Sequence, residues 1–134
     1  MKEISRSYQI EPDRDYLSPI IEVFLVGKNN RVPLNVLVDS GAAKAIFPKH
    51  SANSAGISLE NAPAEFVIWG GSTVIGNKVK CYIDIDEETF KIDVIFVEKL
   101  SYPYGLLGRI PLFSKFNEVT FLENTSNPRV EFRY

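Results

Sequence analysis

The sequence predicts an all-β fold, a barrel or sandwich of short strands. Two observations carry this. Apolar and polar residues alternate with a period of two at Val79, Cys81, Ile83 and Ile85, and again at Phe90, Ile92, Val94 and Phe96. Short runs of β-branched and aromatic residues also recur along the chain, separated by turn-forming clusters such as Gly27-Lys28-Asn29-Asn30 and Asp86-Glu87-Glu88.

Residues 1–17 are mostly polar and read as an irregular arm or an edge strand. The first strong strand is Ile20 to Val26, whose nearly continuous apolar character predicts burial on both faces. Gly27 to Asn30 turns the chain into a second strand, Val32 to Val38, and the pair reads as a hairpin. Ala45-Ile46-Phe47 is a short return strand. Pro48 to Ala55 fits a helical turn, with Pro at its start and Gly56 just past its end. Phe66 to Trp69 is a strand running into the tip Gly70-Gly71-Ser72, and the chain returns through Thr73-Val74-Ile75. The two alternating strands follow. After Gly105-Leu106-Leu107-Gly108-Arg109, Pro111 stands where a short helix can begin, with Leu112, Phe113 and Phe116 as its apolar stripe. Val119 to Leu122 and Val130 to Phe132 are the last strands.

These elements make a single domain over 1–134, with a core at about 18–122, the arm at 1–17 and a C-terminal strand at about 128–134. A chain of 134 residues buries enough surface to fold without a disulfide or a metal. The net charge of −2 and the lack of a Lys/Arg run argue against nucleic acid as a partner. The lone Cys81 has no intramolecular disulfide partner, which fits a reducing compartment. Met1 to Ser7 lacks the apolar core of a signal peptide, and no apolar run reaches membrane-spanning length. The expectation is a soluble cytoplasmic protein with no membrane partner. No Cys/His cluster has metal-ligand spacing, so neither a metal nor a cofactor is expected. His50, the only histidine, sits between Lys49 and Ser51 at an exposed loop or helix start, a poor setting for a catalytic base.

The chemistry concentrates in Asp39-Ser40-Gly41-Ala42, which follows the apolar run Val36-Leu37-Val38. A strand that ends on Asp projects the carboxylate from a rigid support. The Ser40 hydroxyl can bond nearby backbone and lock the turn, and Gly41 removes a side chain where the chain bends. Alone, the tripeptide reads as an ordinary turn, since all three residues favour turns. The rest of the chain changes that reading. Leu37-Val38-Asp39-Ser40-Gly41-Ala42, then Trp69-Gly70-Gly71-Ser72, then Leu106-Leu107-Gly108-Arg109 stand in an order that resembles the retropepsin-like aspartic proteases, the retroviral proteases and their cellular and bacterial relatives. The resemblance spans roughly residues 20–122.

The resemblance implies a closed barrel or sandwich with a flap hairpin and one short C-terminal helix. It implies that Asp39 is catalytic, in a turn made with Ser40, Gly41 and Ala42. Trp69, Gly70, Gly71 and Ser72 would form a flap over substrate, with Trp69 itself leaning towards packing. Leu106, Leu107, Gly108 and Arg109 would support the turn from behind. Because no second Asp-Ser/Thr-Gly follows, the chain would work as a homodimer, with peptide or protein as substrate and no cofactor. Ser40 would reach across to the partner's backbone. The intersubunit sheet would come from the C-terminal Arg129 to Tyr134 or from the arm. Ala43 and Lys44 stand where retroviral members often carry acids, so Arg109 loses its usual partner. The competing reading is a dimerisation or peptide-binding module that keeps the fold without turnover.

Overall fold

In the computed structural model, which describes residues 2–134, the chain runs through twelve strands. They are β1 (Glu3–Ser7), β2 (Gln9–Ile10), β3 (Leu17–Ser18), β4 (Ile20–Val26), β5 (Arg31–Val38), β6 (Ala45–Pro48), β7 (Ala64–Trp69), β8 (Ser72–Ile85), β9 (Glu88–Val97), β10 (Gly105–Leu107), β11 (Glu118–Leu122) and β12 (Arg129–Arg133). A single α-helix, α1 (Lys49–Ala55), follows β6. Seven strands form one sheet in the order β4-β5-β10-β6-β9-β8-β7, and a further β4–β8 pairing closes it into a barrel. β1, β12 and β11 form a separate three-stranded sheet, and β2 pairs with β3.

Period-two patterning decides what each strand buries. Ile21, Val23 and Leu25 of β4, Val36 and Val38 of β5, and Ile92, Val94 and Phe96 of β9 point into the barrel and are almost wholly buried. Residues of opposite parity form a second cluster on the other face of the sheet. There Ile20, Ile46, Ile95, Val97 and Leu106 meet Val67 and Trp69 of the β7–β8 hairpin. The hairpin is thus seated on an apolar bed outside the barrel.

β4 is not buried on both faces as its composition predicts: Glu22 is exposed and Phe24 and Val26 are half-buried. The outer face of Phe24 is covered by the Arg31 guanidinium, 4.3 Å from the ring centroid. The return strand after the Gly70-Gly71 tip and the first alternating strand are one continuous β8, which pairs with β7 through its first half and β9 through its second. α1 follows Pro48 and closes at left-handed Gly56, as the Pro and Gly signals predict. The helix expected after Pro111 is only a single 3-10 turn, Phe113–Lys115. Ser114 Oγ–H donates to Ile110 C=O at 2.7 Å, a local bond that competes with continued helix, and the chain is extended again by Phe116. Among the described residues no helix is long and apolar enough to cross a membrane.

Candidate active site

Asp39 stands one residue past the end of β5. Its parity matches Leu37, on the outer face, while Val38 enters the barrel core. Two local bonds shape the turn. Gly41 N–H donates to Asp39 Oδ1 at 2.8 Å, and Ala42 N–H donates to Asp39 C=O at 3.3 Å. The carboxylate therefore closes its own turn, in the manner of an Asx-turn. The Ser40 hydroxyl, expected to lock it, is exposed and makes no hydrogen bond within the chain among the described residues.

The support from behind comes from β10. It runs parallel to β5, with Gly105, Leu106 and Leu107 opposite Val36, Leu37 and Val38. Its other edge pairs antiparallel with β6, Leu106 to Ile46 and Leu107 to Ala45. Asp39 N–H donates to Leu107 C=O at 3.0 Å, Arg109 N–H to Ala42 C=O at 2.8 Å, and Ile110 N–H to Ala43 C=O at 3.2 Å. Leu106-Leu107-Gly108-Arg109 thus fastens both sides of the turn through backbone bonds. The Arg109 side chain is exposed and forms no ion pair among the described residues.

Trp69 and Ser72 close the β7–β8 hairpin as its last pair, with Gly70 and Gly71 as a two-residue tip. Both glycines have positive φ, 63° and 76°, as a type I′ turn requires. The tip leans on its own chain: Ser101 Oγ–H donates to Trp69 C=O at 3.2 Å, and the Trp69 ring lies 5.6 Å from that of Tyr102. Tyr102 stacks in turn on Tyr104 at 5.6 Å. Trp69 is only 9% exposed, and its ring packs on the Tyr102 side of the hairpin.

Between the tip and Asp39 lies a cleft of about 730 Å³. Leu37 and Asp39 form part of its lining, with Trp69, Gly70, Tyr102 and Tyr104 around them. One wall was not foreseen from the sequence: Glu11 to Arg14 and Tyr16, from the loop between β2 and β3. Tyr104 O–H donates to Glu11 Oε1 at 3.2 Å, tying that loop to the aromatic wall. Burial, and then the Glu11 carboxylate, push the Tyr104 phenol up to about 12, so it remains a donor at neutral pH. Nothing local marks residues 11–16 as cleft residues, because a long-range fold brings them there. A second, shallower groove runs past the other side of Asp39 and Ser40 to Phe121 and Glu123 at the end of β11.

Among the described residues no group of three or more His, Cys, Asp and Glu side chains is placed to hold a metal ion. His50 is exposed at the first turn of α1 and lies outside the lining of the Asp39 cleft.

No protein-family model matches the sequence, and no curated protein is significantly similar to it. Among solved structures, the chain is similar to a retropepsin-like aspartic protease from Rickettsia conorii, with a TM-score of 0.65 and 19% sequence identity. The superposition covers 98% of this chain and 91% of that one. With so few shared residues the likeness lies in the backbone path, and on it the chain has the retropepsin-like fold.

Proposed function

We propose that the protein is a homodimeric aspartic endopeptidase in which Asp39 and the partner's Asp39 share one active site. The carrying observation is the mounting of Asp39: a carboxylate at a strand end, bonded to Gly41 N–H, braced by β10 and lining a cleft beneath a two-glycine hairpin tip.

The dimer follows from the chemistry. Hydrolysis by water needs one group to take a proton and another to give one. Two carboxylates side by side cannot both ionise, so the pair holds one proton between them, and its titration belongs to the pair. The ionised carboxylate takes a proton from water as the water oxygen bonds to the scissile carbonyl carbon. The neutral carboxyl gives its proton to the carbonyl oxygen. As the tetrahedral diol collapses, the carboxyl that took its proton from water gives it to the nitrogen, and the other carboxylate takes a proton back from a diol hydroxyl. The C–N bond breaks to release acid and amine, with the pair again holding one proton. An extended peptide would lie across the cleft as an added strand, under the Gly70-Gly71 tip.

The surface beside Asp39 supports a partner there. Ser40 is exposed with its hydroxyl unused within the chain, and the groove beside it reaches the end of β11. β11 has only β12 as a neighbour, so its outer edge is available. The C-terminal strand β12 lies between β1 and β11 and has no free edge. An intersubunit sheet would therefore form on β11 or β1.

Asp39→Asn tests the reading. It keeps the size of the side chain and an oxygen for Gly41 N–H, so the expected result is a loss of peptide cleavage of about 10³-fold or more. Sedimentation should find the variant as dimeric as the wild type. Undiminished cleavage by the variant, or a wild type that stays monomeric at high concentration, would refute the proposal. A wild type that dimerises but cuts no peptide of a broad library would favour the non-catalytic module.

A further inference from the structure

We infer that a lysine-lined pocket, separate from the cleft at Asp39, binds a phosphate-bearing ligand. The pocket has a volume of about 140 Å³ and lies against the outward faces of β8 and β9. That is room for a phosphate group, since one water needs about 10–15 Å³. Lys44, Lys78, Lys80, Lys91 and Lys115 line it, and the only carboxylates in its lining are those of Glu65 and Asp93. The lining thus carries a surplus of three positive charges, in a chain whose net charge is −2.

Strand register accounts for the surplus. Val79, Cys81, Ile92 and Val94 point into the barrel, so Lys78, Lys80, Lys91 and Asp93 must point out. Lys80 stands opposite Asp93 and pairs with it at 3.0 Å, and Lys44 pairs with Glu65 at 3.3 Å. Lys78 stands opposite Ile95, which offers no charge. Lys91 stands opposite Tyr82, whose ring centroid lies 5.7 Å from the ammonium. Lys115 comes from the 3-10 turn on the far side. Among the described residues, Lys78, Lys91 and Lys115 have no carboxylate within ion-pair distance.

Ammonium groups gathered in one concavity reinforce one another. The screening length at physiological salt is about 8 Å, and the walls exclude part of the solvent that would screen them. Ile110 and Pro111 supply an apolar rim. A doubly charged, multi-oxygen acceptor answers this arrangement, because each ammonium has up to three donors to give and phosphate oxygens make strong charge-assisted bonds. The ligand is either a small phosphate ester or a phosphorylated side chain.

The test uses the full chain at constant ionic strength, titrated calorimetrically with inorganic pyrophosphate and with a phosphoserine peptide beside its unphosphorylated twin. Saturable binding of either phosphate probe is expected, and the tighter of the two identifies the source. The triple variant Lys78→Gln, Lys91→Gln, Lys115→Gln should lose about tenfold or more in affinity. A control triple, Lys28→Gln, Lys49→Gln, Lys99→Gln, removes the same charge outside the pocket and should retain binding. Should the pocket triple fold poorly by circular dichroism, Lys115→Gln alone should still weaken binding. No binding of either probe at millimolar concentration, equal loss in both triples, or a response only to duplex DNA would overturn the inference.

Discussion

Gly108 packs directly against the backbone that follows the Asp39 turn. A Cβ there would overlap Lys44 C=O and lie 2.6 Å from Ala42 C=O, and both neighbours are backbone that cannot swing aside. Gly108→Ala should therefore cost about 1–3 kcal/mol of stability, read from urea denaturation, and should disturb Asp39 through Ala42. Cys81 makes the opposite kind of claim. It is 5% exposed on the inward face of β8, and burial, with a lesser push from Asp93, raises its thiol to about 12. A protonated, enclosed thiol is a poor nucleophile. Iodoacetamide should leave native Cys81 unmodified and label it fully after denaturation, as mass spectrometry will show. The inward placement of Cys81 was legible from the alternation of its strand. The need for Gly108 was not, because the atoms it must avoid come from a segment distant in sequence.

Elements were legible to the extent that their signals were local. The β4–β5 hairpin, the β7–β8 hairpin and α1 each carry their own turn or cap residues, and each forms where those residues predict. β10 carries no such signal, being three apolar residues between turns, and becomes a strand only because β5 and β6 accept it on either side. The β7–β8 tip separates two effects of glycine. At Gly71 a Cβ would meet open space, so Gly71→Ala should cost only the strain of a positive φ, about 1–2 kcal/mol. At Gly70 a Cβ would also lie 3.0 Å from Ser101 Cβ and 3.2 Å from the Tyr102 ring. Gly70→Ala should be the more destabilising of the two, and should also release the tip from the 101–104 loop. Hydrogen exchange at the backbone amides of 67–74 would detect that release, and equal exchange in the two variants would argue against the docking contact.

At the scale of the whole molecule, the termini are joined in one sheet outside the barrel, where Phe132 and Val130 of β12 pack into the main core. The buried Glu131 carboxylate in that sheet accepts from Arg129 Nε at 2.9 Å and from Arg133 Nη2 at 2.6 Å. The hydrogen bond from Arg129 comes first, and with the Arg133 charge it outweighs burial and lowers the Glu131 pKa. A carboxylate with a lowered folded pKa adds stability above its unfolded pKa, and that stability is lost as pH falls through the folded value. Glu131→Gln should therefore lower the melting temperature at neutral pH. The gap from wild type should narrow as pH is taken from about 7 to about 3. A gap independent of pH would mean that the charge of Glu131 contributes nothing.

The sequence by itself determined the parity of β8 and β9, the hairpin tips, the helix after Pro48 and the resemblance that picked out Asp39. Each of these rests on residues close together in the chain, where period, turn chemistry and motif spacing act directly. Only the tertiary structure decided that the Asp39 carboxylate, and not Ser40, closes the turn, that Glu11 to Tyr16 wall the cleft, that β12 is enclosed by β1 and β11, and that the lysines of β8, β9 and two further segments share one pocket. These facts depend on which distant segments meet. Many sequences satisfy the same local pattern, and only the closed barrel with its full set of pairings selects among the meetings they allow.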